Sequence, residues 1–200
     1  MRGDSCDDLS APFINSFPIQ ESRESVHLQA FRSDQNLEQR LGNLEEVINK
    51  NYDLKVKVER GEFEYNDEFL LVKMNREYRF EDGVRRFDIE ERKSYQVDLQ
   101  ANEVVRNGES LVDGDYLMVV SPTGTIYMGK QQDGTIRHSS FLNGGVVAFA
   151  GMAKVVNKKI VLINNGSGHY RTPKLLLGQI AEYMMVMGHI DDSVEIMIAY

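Results

Sequence analysis

The sequence predicts an α+β fold, mainly antiparallel sheet and open to barrel-like closure, with one helix near the N-terminus and one near the C-terminus. Three observations predict it. Short segments alternating between apolar and polar residues recur between turn residues, an amphipathic leucine stripe precedes them, and a proline-led apolar stripe follows them.

Residues 1–33, rich in Ser, Asp and Gln and holding Pro12 and Pro18, keep no period of 3.6 or 2, and are expected to form a disordered or loosely docked tail. Residues 34–200 are then one domain. It opens with Ser33 or Asp34 as an N-cap, followed by Leu37, Leu41, Leu44, Val47 and Ile48 along one helical face. From 53 to 108 the segments "LKVKVE", "EFEY", "FLLVKM", "EYRF", "RFDIE", "YQVDL" and "EVVRN" predict a meander of hairpins. "DYLMVVS" is an apolar run suited to a buried strand, "SPTG" is a turn, "TIYMGK" leads back, and "QDGT" closes another hairpin. "GVVAFAGMAKVV", the turn "NKK" and "IVLIN" add two strands. Thr172 is a suitable N-cap and Pro173 a first helical residue, because proline lacks an N–H that would have no intrahelical partner. Leu176, Leu177, Ile180, Ala181, Met184 and Met187 form the stripe, Gly188 stops it, and "VEIMIAY" returns as a strand.

Composition narrows the function. The chain has 200 residues, 42% of them apolar, enough for one substantial core. No apolar run approaches the roughly 20 residues of a membrane span, and "MRGDSCDDLS" lacks a secretory h-region. This predicts a cytoplasmic protein, or one exported without a classical signal peptide into a host cytosol. Cys6 is the single cysteine, which excludes an intrachain disulfide, and no CxxC or Cys/His cluster offers zinc-ligand spacing. The net charge is −8, and residues 111–200 hold seven acidic and seven basic residues, so the first 110 carry the whole excess. An acidic surface argues against nucleic acid as a partner and leaves open a basic protein partner.

Two motifs carry what chemistry there is. "RHSSFLNGG" (137–145) and "NNGSGHYRTP" (164–173) each set a histidine among serines and glycines with an arginine close by, and 31 positions separate His138 from His169. In the second, Gly166 and Gly168 permit close backbone approach, Arg171 supplies a planar cation, and the following helix offers free N–H groups. With Arg137, Ser167 and Tyr170, these residues suit a small anionic, nucleotide-like ligand. In the first, His138 can act as a general base for Ser139, Ser140 or a substrate hydroxyl. Neighbours on a strand point to opposite faces, so the natural partnership runs between the motifs and makes His138, Ser139, Ser140 and His169 the catalytic candidates. The alternative is structural: both histidines satisfied by backbone and hydroxyl groups, both motifs serving as turns.

From "KSYQVDLQANEVVRNGESLVDGDYLMVVSPTGTIYMGKQQDGTIRHSSFLNGG" through "AGMAKVVNKKIVLINNGSGHYRTP", over residues 93–189, the chain resembles the C-terminal domain of the plant IQ-motif-containing calmodulin-binding proteins. The string HSS…AG…SGHY is also similar to a domain of bacterial polymorphic toxins and effectors. The toxin resemblance implies group transfer of ADP-ribosyl type, with NAD as cofactor; the alternative is a non-enzymatic module in which the motifs only hold turns and the acidic half or the N-terminal tail engages a host or cellular protein. The chain departs from both. "IQESRE" places Glu24 where an IQ motif has Arg, so calmodulin binding does not carry over, and Met152 follows Ala150-Gly151 where the toxin-like strings often have Glu.

Overall fold

The computed structural model describes residues 60, 63–65, 69–79, 81, 83–100, 103–132 and 134–199. The expected tail, the leucine helix, "LKVKVE" and the IQ-like segment lie outside them. The elements in chain order are β1 (Phe63–Tyr65), β2 (Leu70–Val72), a 3-10 turn (Arg76–Tyr78), α1 (Ile89–Lys93), β3 (Gln96–Gln100), β4 (Glu103–Arg106) and β5 (Glu109–Ser110). There follow β6 (Gly114–Val120), β7 (Ile126–Gly129), α2 (His138–Phe141), β8 (Phe149–Val156), β9 (Lys159–Asn164), α3 (Lys174–Val186) and β10 (Glu195–Met197).

The strands pair in the order β9-β8-β6-β7-β3-β4, every neighbour antiparallel, and β4 pairs again with β9 through Glu103 and Lys159. The sheet is therefore a closed six-stranded barrel, the α+β class the sequence predicts. The outer edge of β9 is shared. β4 takes its first residue, while β10 lies parallel along Leu162, Ile163 and Asn164.

The period of two explains why "DYLMVVS" reads as an unbroken apolar run. Tyr116, Met118 and Val120 enter one apolar cluster, and Leu117 and Val119 enter a second. The first draws on all six barrel strands, including Val97, Val104, Met128, Val155 and Ile163, so it is the barrel interior. Leu177, Ile180, Ala181 and Met184 of α3 join it. The second lies outside β6, β7 and β8 and is covered by Leu70, Val72, Phe87, Phe141 and Tyr170. Each side chain buried this way contributes about 1.5–3 kcal/mol. β2 is held against this face by reciprocal backbone bonds between Val72 and Val147, at 2.8 and 3.1 Å, and by the Gln179 amide, which accepts from Leu70 N and donates to Leu70 O.

Several expectations are corrected. Glu77 and Tyr78 of "EYRF" fall in the 3-10 turn, where the Asn75 side chain accepts from Glu77 N at 3.1 Å. "RFDIE" leads into α1, where Asp88 caps the helix by accepting from Glu91 N at 2.8 Å. The meander is thus interrupted twice. At "QDGT" Thr135 N donates to Gln132 O at 2.8 Å, and among the described residues no hairpin follows. The carbonyls of Thr135 and Ser140 are taken by Arg85 N and Phe87 N instead of by β7. Thr172 does not cap α3, since its hydroxyl is committed to Ala150 O at 2.6 Å and Pro173 becomes the N-cap. Met187 leaves the stripe and is 54% exposed, because the helix stops there; Gly188, at φ 69°, takes the left-handed position after it.

Candidate functional site

α2 carries the first motif. Arg137 is its extended N-cap residue, and Arg137 N donates to Ser140 Oγ at 3.0 Å, which commits Ser140 to closing the turn. Asn143 and Gly144, both at positive φ, fold the chain back so that Gly144 N reaches Ser139 O and Gly145 N reaches Leu142 O, each at 2.8 Å. His138 Nε2 donates to Gly151 O at 2.8 Å. Gly151 has no room for a side chain: a Cβ there would lie 2.1 Å from Asn164 O. Burial pushes the His138 imidazole down to about 4; the bond to Gly151 opposes this, and the His169 and Arg137 charges reinforce it.

The second motif is also anchored to the barrel. Asn165 donates to Thr172 O at 2.7 Å and accepts from Ala199 N at 2.8 Å. Tyr170 OH donates to Gly145 O at 2.7 Å, tying the second motif to the last residue of the first. Burial raises the phenol well above its ordinary range. Ser167 is buried. The Gly168 Cβ position faces open space, so the close backbone approach expected of it is not used within the chain. Arg171, at φ 46°, reaches Glu77, 3.7 Å away in an exposed ion pair.

The two motifs do meet. Ser139 Oγ lies 2.8 Å from His169 Nδ1, and His169 Nε2 lies 2.6 Å from Glu81 Oε2. A carboxylate only accepts, so Nε2 carries the proton and Nδ1 receives the Ser139 hydroxyl. Tyr78 stacks on the imidazole, centroids 4.8 Å apart and planes at 15°, and Asn75 N donates to His169 O at 2.8 Å. Burial lowers the His169 pKa, Glu81 opposes that, and the Arg86 and Arg137 charges add to it. The Glu81 contact is therefore a hydrogen bond from a neutral ring near pH 7, because burial and two guanidiniums outweigh one carboxylate. The two imidazoles share no partner: His138 serves Gly151, and His169 serves Ser139 and Glu81.

A hydroxyl–imidazole–carboxylate chain is the arrangement that activates nucleophiles. Here Ser139 is 0% exposed, and two amides of the same loop, Gly144 N and Gly145 N, already serve the carbonyls of Ser139 and Leu142. As placed, the chain of groups works as a latch between the loops. Sequence reading missed Glu81 and Tyr78, which lie far upstream with no motif or spacing to tie them to the histidines. Among the described residues no group of three or more His, Cys, Asp or Glu side chains is placed to hold a metal ion, and no helix is long and apolar enough to cross a membrane.

The fold and site define a closed antiparallel barrel whose two histidine loops are latched against its outer face. Residues 91–175 match the family described as the IQ motif-containing protein middle domain. The chain is similar to IQ domain-containing protein IQM2 of Arabidopsis thaliana, 34% identical over 90 residues that cover 40% of this chain and 15% of the relative. It is also similar to IQ domain-containing protein IQM5 of the same plant, 33% identical over 85 residues, 40% of this chain and 17% of the relative. This chain therefore spans under a fifth of the length of these relatives. No solved structure matches. The match supports the plant side of the resemblance, places it in a middle rather than a C-terminal domain, and gives the toxin side no support. It covers β3 to β9 and both histidine motifs but not Tyr78, Glu81 or Arg86.

Proposed function

We propose that this chain is a non-enzymatic, protein-binding module of the kind found in IQ-motif proteins, in which the histidine motifs hold the barrel's loops together. The observation that carries the reading is how the motifs' polar groups are used: His138 on Gly151, Ser139 on His169, Ser140 on Arg137, Tyr170 on Gly145 and Thr172 on Ala150. The partner is a cellular protein. The acidic excess of the first 110 residues favours one with a basic surface. The resemblance also raises calmodulin, and Glu24 in "IQESRE" weighs against an IQ-type contact through that segment. The rival is transfer of an ADP-ribosyl group from NAD. Incubating the full chain with NAD and candidate acceptor proteins separates the two: no nicotinamide release and no label transfer are expected. Turnover that is present in the wild type and lost in both folded Ser139→Ala and His169→Gln sinks the module reading.

A further inference from the structure

Asn-Gly pairs occur in the sequence at 107–108, 143–144 and 165–166. Each carries the same latent reaction: with no side chain on the glycine, its backbone nitrogen can close on Cγ of the preceding carboxamide. The fold treats the pairs differently. In the second histidine motif Asn165 is 1% exposed, its side chain donates to Thr172 O at 2.7 Å and accepts from Ala199 N at 2.8 Å, and Gly166 N donates to the Asn164 side chain at 2.8 Å. Electrophile and nucleophile are both engaged there. In the first motif Asn143 is exposed, but Gly144 N donates to Ser139 O at 2.8 Å, inside the loop that the latch holds.

Asn107 and Gly108 differ from both. Each is exposed, and among the described residues neither the Asn107 carboxamide nor Gly108 N has a hydrogen-bond partner. They form the two-residue turn of the β4–β5 hairpin, at φ 55° and 82°. β5 has two residues and ends the sheet order, so undoing the pairs Val105 with Ser110 and Arg106 with Glu109 frees the turn to rearrange.

We propose that Asn107 is a site of spontaneous deamidation, at which the turn converts itself to aspartyl and isoaspartyl forms with water as the only co-reactant. Gly108 N loses its proton and bonds to Asn107 Cγ, the bond from Cγ to the carboxamide nitrogen breaks, and ammonia leaves. Water then opens the cyclic imide. Attack at the side-chain carbonyl restores the ordinary backbone as Asp, and attack at the main-chain carbonyl leaves isoaspartate, whose backbone runs through the former side chain. Either product adds a negative charge two residues from Glu109, and isoaspartate lengthens the turn by a methylene. The hairpin sits on the closure of the barrel: Leu111 N donates to Val104 O and Val104 N to Lys158 O, each at 2.8 Å. A lengthened turn therefore loosens the β4–β9 seam. The modification needs no bound partner and is independent of the protein-binding reading.

The full chain is incubated at mildly alkaline pH, folded and in urea, and each asparagine is followed by peptide mass mapping, which reads the difference between a carboxamide and a carboxylic acid. In the folded chain Asn107 is expected to react roughly tenfold faster than Asn143 or Asn165, since it needs only an edge hairpin to open. In urea the three rates are expected to converge. Asn107→Gly keeps a turn that accepts left-handed φ at both positions and is expected to abolish the mass change in that peptide. The isoaspartyl fraction, separated by chromatography, is expected to exchange the Val104 and Leu111 amides faster than the parent chain. The proposal is overturned if Asn143 or Asn165 keeps pace with Asn107 in the folded chain, or if Asn107 stays intact there while reacting in urea. Unchanged exchange at Val104 and Leu111 overturns the link to the seam.

Discussion

Ser139 and Ser140 are adjacent, equally buried, and do different work, which makes them a direct test of the latch. Ser139→Ala removes a buried bond and strands the His169 Nδ1 acceptor, so a loss of about 1–3 kcal/mol is expected in urea unfolding. Ser140→Ala removes only the turn closure at Arg137 N and is expected to lose about 1 kcal/mol. The histidines set a pH dependence whose sign follows from their lowered pKa. Between the ordinary value of 6.5 and the folded value of about 4 for His138, the unfolded chain binds the extra proton. Stability is therefore full above about 6.5 and falls as the pH drops toward 4, by about 3 kcal/mol for His138, with His169 acting in the same direction. Unfolding curves across that window should show the slope, and His138→Gln should make it shallower. Much of this site was legible: small residues around two histidines pointed to loops that meet, and they do. Which nitrogen serves which group was not legible, nor was Glu81, because both depend on how β8, α2 and the Tyr78 turn pack together.

Legibility among the elements followed the strength of local patterning. β3, β4, β6, β7, β8 and β9 fall where alternation or a bounded apolar run placed them, and Gly188 ends α3 as its flexibility suggests. Two of the failures share a cause: a side chain that caps. Asn75 and Asp88 turn two strand-like segments into helical turns, and "DIEE" did carry a capping signature, an aspartate three residues ahead of a glutamate. Thr172 fails in the opposite sense, because Ala150 claims the hydroxyl that a cap would use. The β8–β9 turn offers a test at this scale. Asn157 and Lys158 take φ of 50° and 68°, the paired left-handed geometry of a two-residue hairpin, while the β4–β5 turn uses Asn107 and Gly108 for the same purpose. Lys158→Gly is expected to raise stability by up to about 1 kcal/mol, read as an increase in Tm, since glycine adopts that φ without strain.

At the scale of the whole molecule, the barrel leaves one ladder divided. β4 meets β9 at a single residue pair, and β10 covers the next stretch from the other end of α3. Removing the chain from Glu195 onward should bare the β9 edge at Leu162, Ile163 and Asn164, which is a ready template for another strand. Sedimentation should then show self-association; a truncated chain that stays monomeric and as stable as the full one would mean β10 is dispensable. The divided ladder also sets an order of events in folding. β6–β7 and β8–β9 are joined by tight turns and can zip early, whereas the β4–β9 contact must close a loop running through most of the barrel. The β10 contact must wait for α3 to cross over the sheet. Pulse-labelled hydrogen exchange should find the amides of β6 and β8 protected first, and Val104 N, which donates to Lys158 O across the seam, among the last. The seam of the barrel is thus expected among its last contacts to form, and a growing chain keeps it unfinished until β9 has been made.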